Sequence, residues 1–387
     1  YTADKNFAVS GTPVKVTNKD GKLTFTINYT TSDVGKTLYY VVKQVRGTQG
    51  GMTYDTTQYK VAVTLLDKYY GVATETTVNG STASDAIKFA NTYTITGSVN
   101  VDLSGSVTLT GKQLTDGMFT LELYSANESF VTSGTPLKTT NKSGKFAFQL
   151  NYTAADIGTH YYVLKEAKAG TTVNGITYSS VSYKITVKVT DNNNGGIKAT
   201  VSGVTANALN FANKYAVTGN ATVDISGNVT LTNGTTSDGM FTFELYAADA
   251  SFTVGEAPAQ TTANANGKFA FKLSYTASDV GKTYYYVVKQ ANAGKVVDGI
   301  SYSSKTYQLV VKLEDNGLGA IKKTVTVKDG TALNAFNFEN AIKYSITVDS
   351  EDNYLTPYFV NGIVWVEENG ELKMPAGYEN SFLLFND

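Results

Sequence analysis

Few side chains in this sequence could do chemistry. Its 387 residues hold one histidine, His160, and no cysteine. Thiol nucleophiles, disulfides, thiolate metal sites and cysteine-based thioester cross-links are excluded. Histidine general-base chemistry is confined to a single position. His160 lies in Gly158-Thr159-His160-Tyr161, where matching segments carry Thr37-Leu38 and Thr283-Tyr284. It reads as a tolerated strand-end residue rather than a ligand. Asp191-Asn192-Asn193-Asn194-Gly195-Gly196 is oxygen-rich enough for a calcium loop. The matching segments Asp67-Lys68-Tyr69-Tyr70-Gly71 and Asp315-Asn316-Gly317 keep no ligand set, so a hairpin turn is the better reading. No pair of carboxylates recurs in a way that suggests hydrolysis, and no cofactor is implied.

More informative are polar residues set into apolar strand faces. Period-two alternation puts Tyr162, Leu164 and Glu166 on one face, and Phe211, Asn213 and Tyr215 on another. Each face is apolar except for its acid or amide. A buried group of that kind needs a hydrogen-bonding partner.

The elements around these residues occur three times. The segments SGTPVKVTNKDGKLTFTINYTTSDVGKTLYYVVKQ, SGTPLKTTNKSGKFAFQLNYTAADIGTHYYVLKE and ANGKFAFKLSYTASDVGKTYYYVVKQ follow Tyr1, Tyr124 and Tyr246. Gly35, Gly158 and Gly281 recur at an interval of 123 residues. That period is too long for a solenoid of small repeats and fits whole domains in tandem. Stretches such as Phe119–Tyr124, Phe146–Tyr152 and Tyr183–Thr190 alternate apolar and polar residues and are rich in Val, Thr, Tyr and Phe. Gly, Asn and Asp clusters separate them, and no helix-period stretch of useful length interrupts them. The expected fold is all-β: tandem Ig-like β-sandwich domains of seven or eight strands each, in an elongated rod. The boundaries fall at 1–96, 97–218 and 219–343, with a β-rich tail at 344–387.

The copies differ in completeness. Copies two and three open with VNVDLSGSVTLTGKQLTDGMFTLEL (100–123) and TVDISGNVTLTNGTTSDGMFTFEL (222–245), while copy one has no such segment. A sandwich without its first strands exposes core and an unpaired sheet edge. In the tail, Leu372-Lys373-Met374-Pro375-Ala376-Gly377-Tyr378 loosely echoes Leu114-Thr115-Asp116-Gly117-Met118, as the opening of a split repeat would.

Together the motifs resemble the isopeptide-linkage domain (Ig-like, CnaB-type) of Gram-positive pilin backbones and surface adhesins. In copy two they are Tyr152-Thr153 with Asp156 and Gly158, Tyr162 with Glu166, Gly175-Ile176-Thr177-Tyr178, and Phe211-Ala212-Asn213-Lys214-Tyr215. The resemblance covers residues 1 to about 344. It implies a bond between a buried lysine amine and an asparagine side chain, formed with loss of ammonia while a nearby carboxylic acid shuttles protons. In this sequence the set is broken. The lysine position holds Val107 in copy two and Val229 in copy three. No lysine lies between Lys88 and Lys112, or between Lys214 and Lys268. The acid is Glu166 in copy two but Gln44 and Gln290 in the others. The asparagine persists as Asn91, Asn213 and Asn340.

Copies two and three are therefore expected to lack the bond, and copy one to depend on whatever supplies its missing strand; the local tail offers only Lys343 and Lys373. Glu166 is expected to be buried, neutral and hydrogen-bonded to Asn213, with burial raising its pKa. The glutamines are expected to hydrogen-bond their asparagines. Thr108 and Thr230 could suggest an ester cross-link, but parity puts them on the opposite face from Val107 and Val229.

Charge and composition agree with a structural role. Net charge is −1, charged residues make up 17% and apolar residues 42%. This excludes a disordered acidic chain and a basic nucleic-acid binder. No apolar run approaches the roughly 20 residues of a membrane span. Neither end reads as a signal peptide, anchor or sorting signal, so the chain is expected to be a piece of a longer one. Most of the 27 tyrosines should fill cores and cross-strand pairs. Tyr69 and Tyr70 sit at a turn tip and are candidates for exposed aromatic contact. Trp365, in Gly362-Ile363-Val364-Trp365-Val366, reads as core.

These features point to a non-catalytic extracellular structural protein, a pilin-like stalk, adhesin or fibre segment of a cell surface. Its partners would be copies of itself, head to tail, or neighbouring repeats, with the tail of one chain completing copy one of the next. The alternative is a surface module that binds a glycan or a host protein.

Overall fold

The computed structural model describes residues 1–69, 71–82, 87–205 and 208–343, and the backbone of 359–360, 363–364, 366–368 and 371–373. The regular elements of the described residues are strands, apart from three single-turn 3-10 helices. Two compact units divide the chain: Tyr1–Thr171 with Tyr178–Asn213, and Thr172–Thr177 with Lys214–Asp387.

Repeats two and three are each built from two five-stranded sheets. Ten strands replace the seven or eight expected, because short pairs such as Thr172–Val173 with Ile176–Thr177 are too brief to leave an alternation in sequence. In repeat three one sheet runs Gln260–Ala263, Thr242–Ala248, Thr283–Gln290, Tyr307–Asp315, Ile321–Val327. The other runs Lys268–Thr276, Asn220–Thr232, Phe336–Ile342, Ile300–Ser301, Val296–Val297. Repeat two repeats this order, with its opening strand Ser98–Thr110 between Lys145–Thr153 and Leu209–Tyr215. The opening strand is thus central, antiparallel to one neighbour and, in repeat three, parallel to the other.

Alternation explains burial. Phe146, Phe148, Leu150 and Tyr152 point inward and are at most 8% exposed, while the residues between them are exposed. In repeat three Phe243, Phe269, Phe338 and Tyr307 pack into one aromatic cluster with Leu245, Leu309 and Val229. Glycine is required where the opening strand crosses the last strand. A Cβ on Gly105 would lie 2.0 Å from the Leu209 carbonyl oxygen, and one on Gly227 2.2 Å from that of Phe336.

Among the described residues, repeat one has one such sheet: Val9–Ser10, Thr2–Ala3, Thr37–Lys43, Gln58–Lys68, Gly71–Val78. Of the second, the described residues form the short pair Met52–Thr53 with Thr92–Tyr93 alone.

The recurring Tyr-Thr-x-x-Asp-x-Gly motif is a capped turn. The backbone N–H of Thr30, Thr153 and Thr276 donates to Asp33, Asp156 and Asp279 at 3.1, 2.7 and 2.8 Å. These donated bonds hold all three carboxyls below the usual range, Asp279 down to about 2. Another shared turn puts Phe7, Phe130 and Phe252 at φ of 64°, 60° and 63°. A left-handed phenylalanine is unusual. Each is fixed by an edge contact to Tyr39, Tyr161 or Tyr285.

Candidate functional site

The buried acid and amide of repeat two come together on the facing inner surfaces of two strands. Gly158–Glu166 carries Glu166, which is 1% exposed, and Leu209–Tyr215 carries Asn213, 3% exposed. Asn213 Nδ2 donates to Glu166 Oε1 at 2.9 Å. The Ser179 backbone N–H donates to both Asn213 Oδ1 at 2.8 Å and Glu166 Oε2 at 3.1 Å. Burial pushes the Glu166 carboxyl above its ordinary range, and the two donated bonds offset only part of that shift.

Repeat three keeps the amide and changes its partners. The Ser303 backbone N–H donates to Asn340 Oδ1 at 2.9 Å, and Asn340 Nδ2 donates to the Thr230 carbonyl at 3.3 Å. Gln290 is fully buried, and neither its Oε1 nor its Nε2 has a hydrogen-bond partner. The expected Gln–Asn hydrogen bond is therefore absent. Asn340 directs its amide to backbone groups, the Ser303 N–H and the Thr230 carbonyl, and makes no bond to Gln290.

In repeat one the same anchor appears a third time, with the Asp55 backbone N–H donating to Asn91 Oδ1 at 2.9 Å. Here Asn91 is exposed and Gln44 half-buried, with the Gln44 Oε1 buried and unpartnered. The Asp55 carboxylate accepts from Thr57 and Ala90 backbone N–H groups and is held below its usual range by hydrogen bonds.

Val107 and Val229, where the resemblance expects a lysine, are 1% and 3% exposed. The parallel register puts Val229 opposite Phe338 and Leu231 opposite Asn340, all on one inner face. Val229 is one inward step from Asn340, a diagonal that a long side chain spans. Both valines add apolar volume to the core there. Thr108 and Thr230 are exposed, on the other face.

His160 packs against Tyr152 with the rings tilted by 40° and their centroids 5.0 Å apart, and its Nε2 lies 2.8 Å from the Asp156 carbonyl oxygen. Among the described residues no group of three His, Asp or Glu side chains could hold a metal ion. No described helix is long and apolar enough to cross a membrane. Tyr69 is 92% exposed at its turn. Tyr70 and Trp365 lie outside the described residues, as does most of the tail with the side chain of Lys373.

Two features left no clear mark in sequence. The first is the backbone N–H of residues 55, 179 and 303, which anchors every asparagine; a backbone donor has no residue type. The second is a clasp beyond the asparagine. In the first unit, Tyr93 Oη donates to Asp191 Oδ1 at 3.0 Å and accepts from the Gly195 N–H at 2.9 Å. In the second unit, Tyr215 Oη lies 2.7 and 2.8 Å from the Asp315 oxygens and accepts from the Gly319 N–H at 2.9 Å. The glycines are obligatory. A Cβ on Gly51 would come within 2.4 Å of Gly195 Cα, and one on Gly175 within 2.5 Å of Gly319 Cα. The signal that could have found the clasp is Phe-x-Asn-x-Tyr, whose tyrosine becomes Ile342 in the third copy.

The sequence matches the family described as FctA: Spy0128-like isopeptide containing domain, three times, over residues 2–94, 103–216 and 225–345. Among solved structures, the major pilin from Streptococcus pyogenes is 16% identical, with 63% of this chain and 99% of that chain covered and a TM-score of 0.23. The C-terminal fragment of the pilus adhesin SpaC from Lactobacillus rhamnosus GG is 14% identical, covering 64% and 100%, with a TM-score of 0.19. GBS52, the minor pilin of Streptococcus agalactiae, is 12% identical, covering 64% and 100%, with a TM-score of 0.17. A search of curated proteins finds no match.

Proposed function

We propose, for a chain that belongs to the Spy0128-like isopeptide-containing domain family, that it is a non-catalytic, pilin-like structural protein of the cell surface. Its three repeats, at 1–96, 97–218 and 219–343, hold together by sheet ladders and packing instead of covalent cross-links. Its subunits join head to tail, the tail of one chain supplying the strand that repeat one of the next one lacks.

One observation carries this reading. Lys145–Thr153 and Lys268–Thr276 each make nine residue pairs with an opening strand. Their counterpart Lys22–Thr30, with the same alternation, forms no strand. Its Ile27 is 41% exposed where Leu150 and Leu273 are 8% and 6%, and Tyr93 is 36% exposed where Tyr215 is 5%. Neither 23–30 nor 87–91 belongs to a described strand, and the opening strands of the other repeats run between the counterparts of these two segments. Light scattering of the purified chain across a concentration series tests the reading. Oligomers that grow with concentration and vanish on deletion of residues 345–387 are expected; a monomer throughout would refute it.

A second reading, a surface module for a glycan or host protein, draws on the 92% exposure of Tyr69. Glycan-array binding lost when Tyr69 and Tyr70 are both changed to Ala would favour it.

A further inference from the structure

We propose that the strand completing repeat one is residues 358–366 of a neighbouring chain. It seats between Lys22–Ile27 and Phe89–Asn91, with Gly362 against Leu23. This rests on the reading above that another chain's tail fills repeat one, and it specifies which residues do so and in what register.

The two complete repeats define what the gap accepts. The inward positions of an opening strand are Val101, Leu103, Val107 and Leu109 around Gly105, and Val223, Ile225, Val229 and Leu231 around Gly227. The requirement is therefore a glycine with apolar residues two and four positions away on both sides. The glycine is fixed by contact, since a Cβ there would run into the carbonyl of the last strand at about 2 Å and no relaxation of a side chain could relieve it.

Residues 344–387 contain three glycines, Gly362, Gly370 and Gly377. Gly362 has Tyr358, Val360, Val364 and Val366 at the four required positions. Gly370 has Glu368 at one of them, and Gly377 has Lys373, Pro375, Glu379 and Ser381. Gly362 alone fits.

The register follows by transfer. Gly105 pairs with Phe146 and Gly227 with Phe269, and the repeat-one counterpart of both phenylalanines is Leu23. Gly362 then meets Leu23, Val360 meets Phe25 and Tyr358 meets Ile27. Pro357 cannot donate to a ladder, which suits it to the start of the strand. On the other side, Val229 pairs with Phe338 and Leu231 with Asn340. This puts Val364 opposite Phe89 and Val366 opposite Asn91, and turns Trp365 to the outer face instead of the core. A valine again occupies the lysine position, as in repeats two and three, so the incoming strand docks without covalent closure. Phe359–Val360 pairs antiparallel with Ile363–Val364, and docking exchanges that pairing for a ladder along Lys22–Ile27.

Three versions of the full-length chain test this by light scattering: the unaltered chain, Gly362→Val, and a deletion of 345–387. The unaltered chain should assemble, and both variants should stay monomeric. A synthetic peptide of residues 355–368 added in excess should return the unaltered chain to monomer mass, and the same peptide with Gly362→Val should not. Because the chain has no cysteine, register is readable directly. Thr24→Cys with Asn361→Cys should form interchain disulfides on oxidation, and Thr26→Cys with Asn361→Cys should form far fewer. Assembly that survives Gly362→Val but not the deletion rejects this strand and register and leaves the tail as donor. Assembly that survives the deletion, or a chain that never assembles, rejects both.

Discussion

Lys22–Thr30 and Lys145–Thr153 read KLTFTINYT and KFAFQLNYT. The alternation is the same and the propensities are close, yet the second is a nine-residue strand and the first is none. The difference lies in the neighbour. Ser98–Thr110 stands beside Lys145–Thr153 and closes its ladder; no described strand stands beside Lys22–Thr30. Strand formation depends on cross-strand partners and a buried face more than on intrinsic preference. The same absence reaches the polar site, where Asn91 is exposed while Asn213 is 3% exposed.

The largest effect is expected from placing a lysine where the resemblance calls for one. Val107→Lys should cross-link to Asn213, because Glu166 still stands beside that amide. Val229→Lys should not, because repeat three offers Gln290 instead. Intact mass would show loss of one ammonia in the first variant only. The bond should add about 4 kcal/mol to repeat two, the scale of a cross-link that closes a loop of about 100 residues.

A comparable effect of opposite sign follows from Gly227→Val. Its side chain would collide with the Phe336 carbonyl and drive the opening strand out. Repeat three would come to resemble repeat one, at a cost of about 4 kcal/mol in urea unfolding. Next in size is Asn213→Ala. It strips a hydrogen bond from buried Glu166 and from the Ser179 N–H, costing about 2–3 kcal/mol, whereas exposed Asn91→Ala should cost under about 1 kcal/mol.

Gln290→Met should stabilise repeat three by about 1–2 kcal/mol, since it removes two buried polar atoms with no partner. The smallest effect is in pH dependence. The Glu166 carboxyl is raised above its ordinary 4.5, so the unfolded chain releases that proton first as pH rises. Repeat two should therefore lose stability as pH climbs from about 4.5 through the folded pKa, then level off. Glu166→Gln should flatten that slope. A titration that finds Glu166 ionised at or below 4.5 in the folded chain would contradict it.

Much of this was legible in the sequence. The 123-residue interval and the alternation of segments such as Phe146–Tyr152 give three all-β repeats, and parity alone turns Glu166 and Asn213 inward. What was not legible depends on groups that sequence does not name or does not place. The Ser179 anchor is a backbone N–H. The Gln290 amide looks able to pair with Asn340 until the Ser303 N–H and the Thr230 carbonyl are found there first. Tyr93 and Tyr215 meet partners about 100 residues away in loops whose only mark is Asp and Gly.

Those tyrosines make the order of the repeats part of the sequence's information. Repeat two carries both halves of the clasp, Asp191 with Gly195 to receive a hydroxyl and Tyr215 to offer one. Repeat three receives through Asp315 and Gly319 but carries Ile342 where it would offer. Repeat one offers Tyr93, and its own loop is the tighter Lys68–Gly71 turn. The three are therefore not interchangeable modules. Duplicating repeat two should extend the array by one more clasped joint, whereas a shuffled gene that places repeat three ahead of repeat two would set an isoleucine against an aspartate, a mismatch selection would meet at the first recombination.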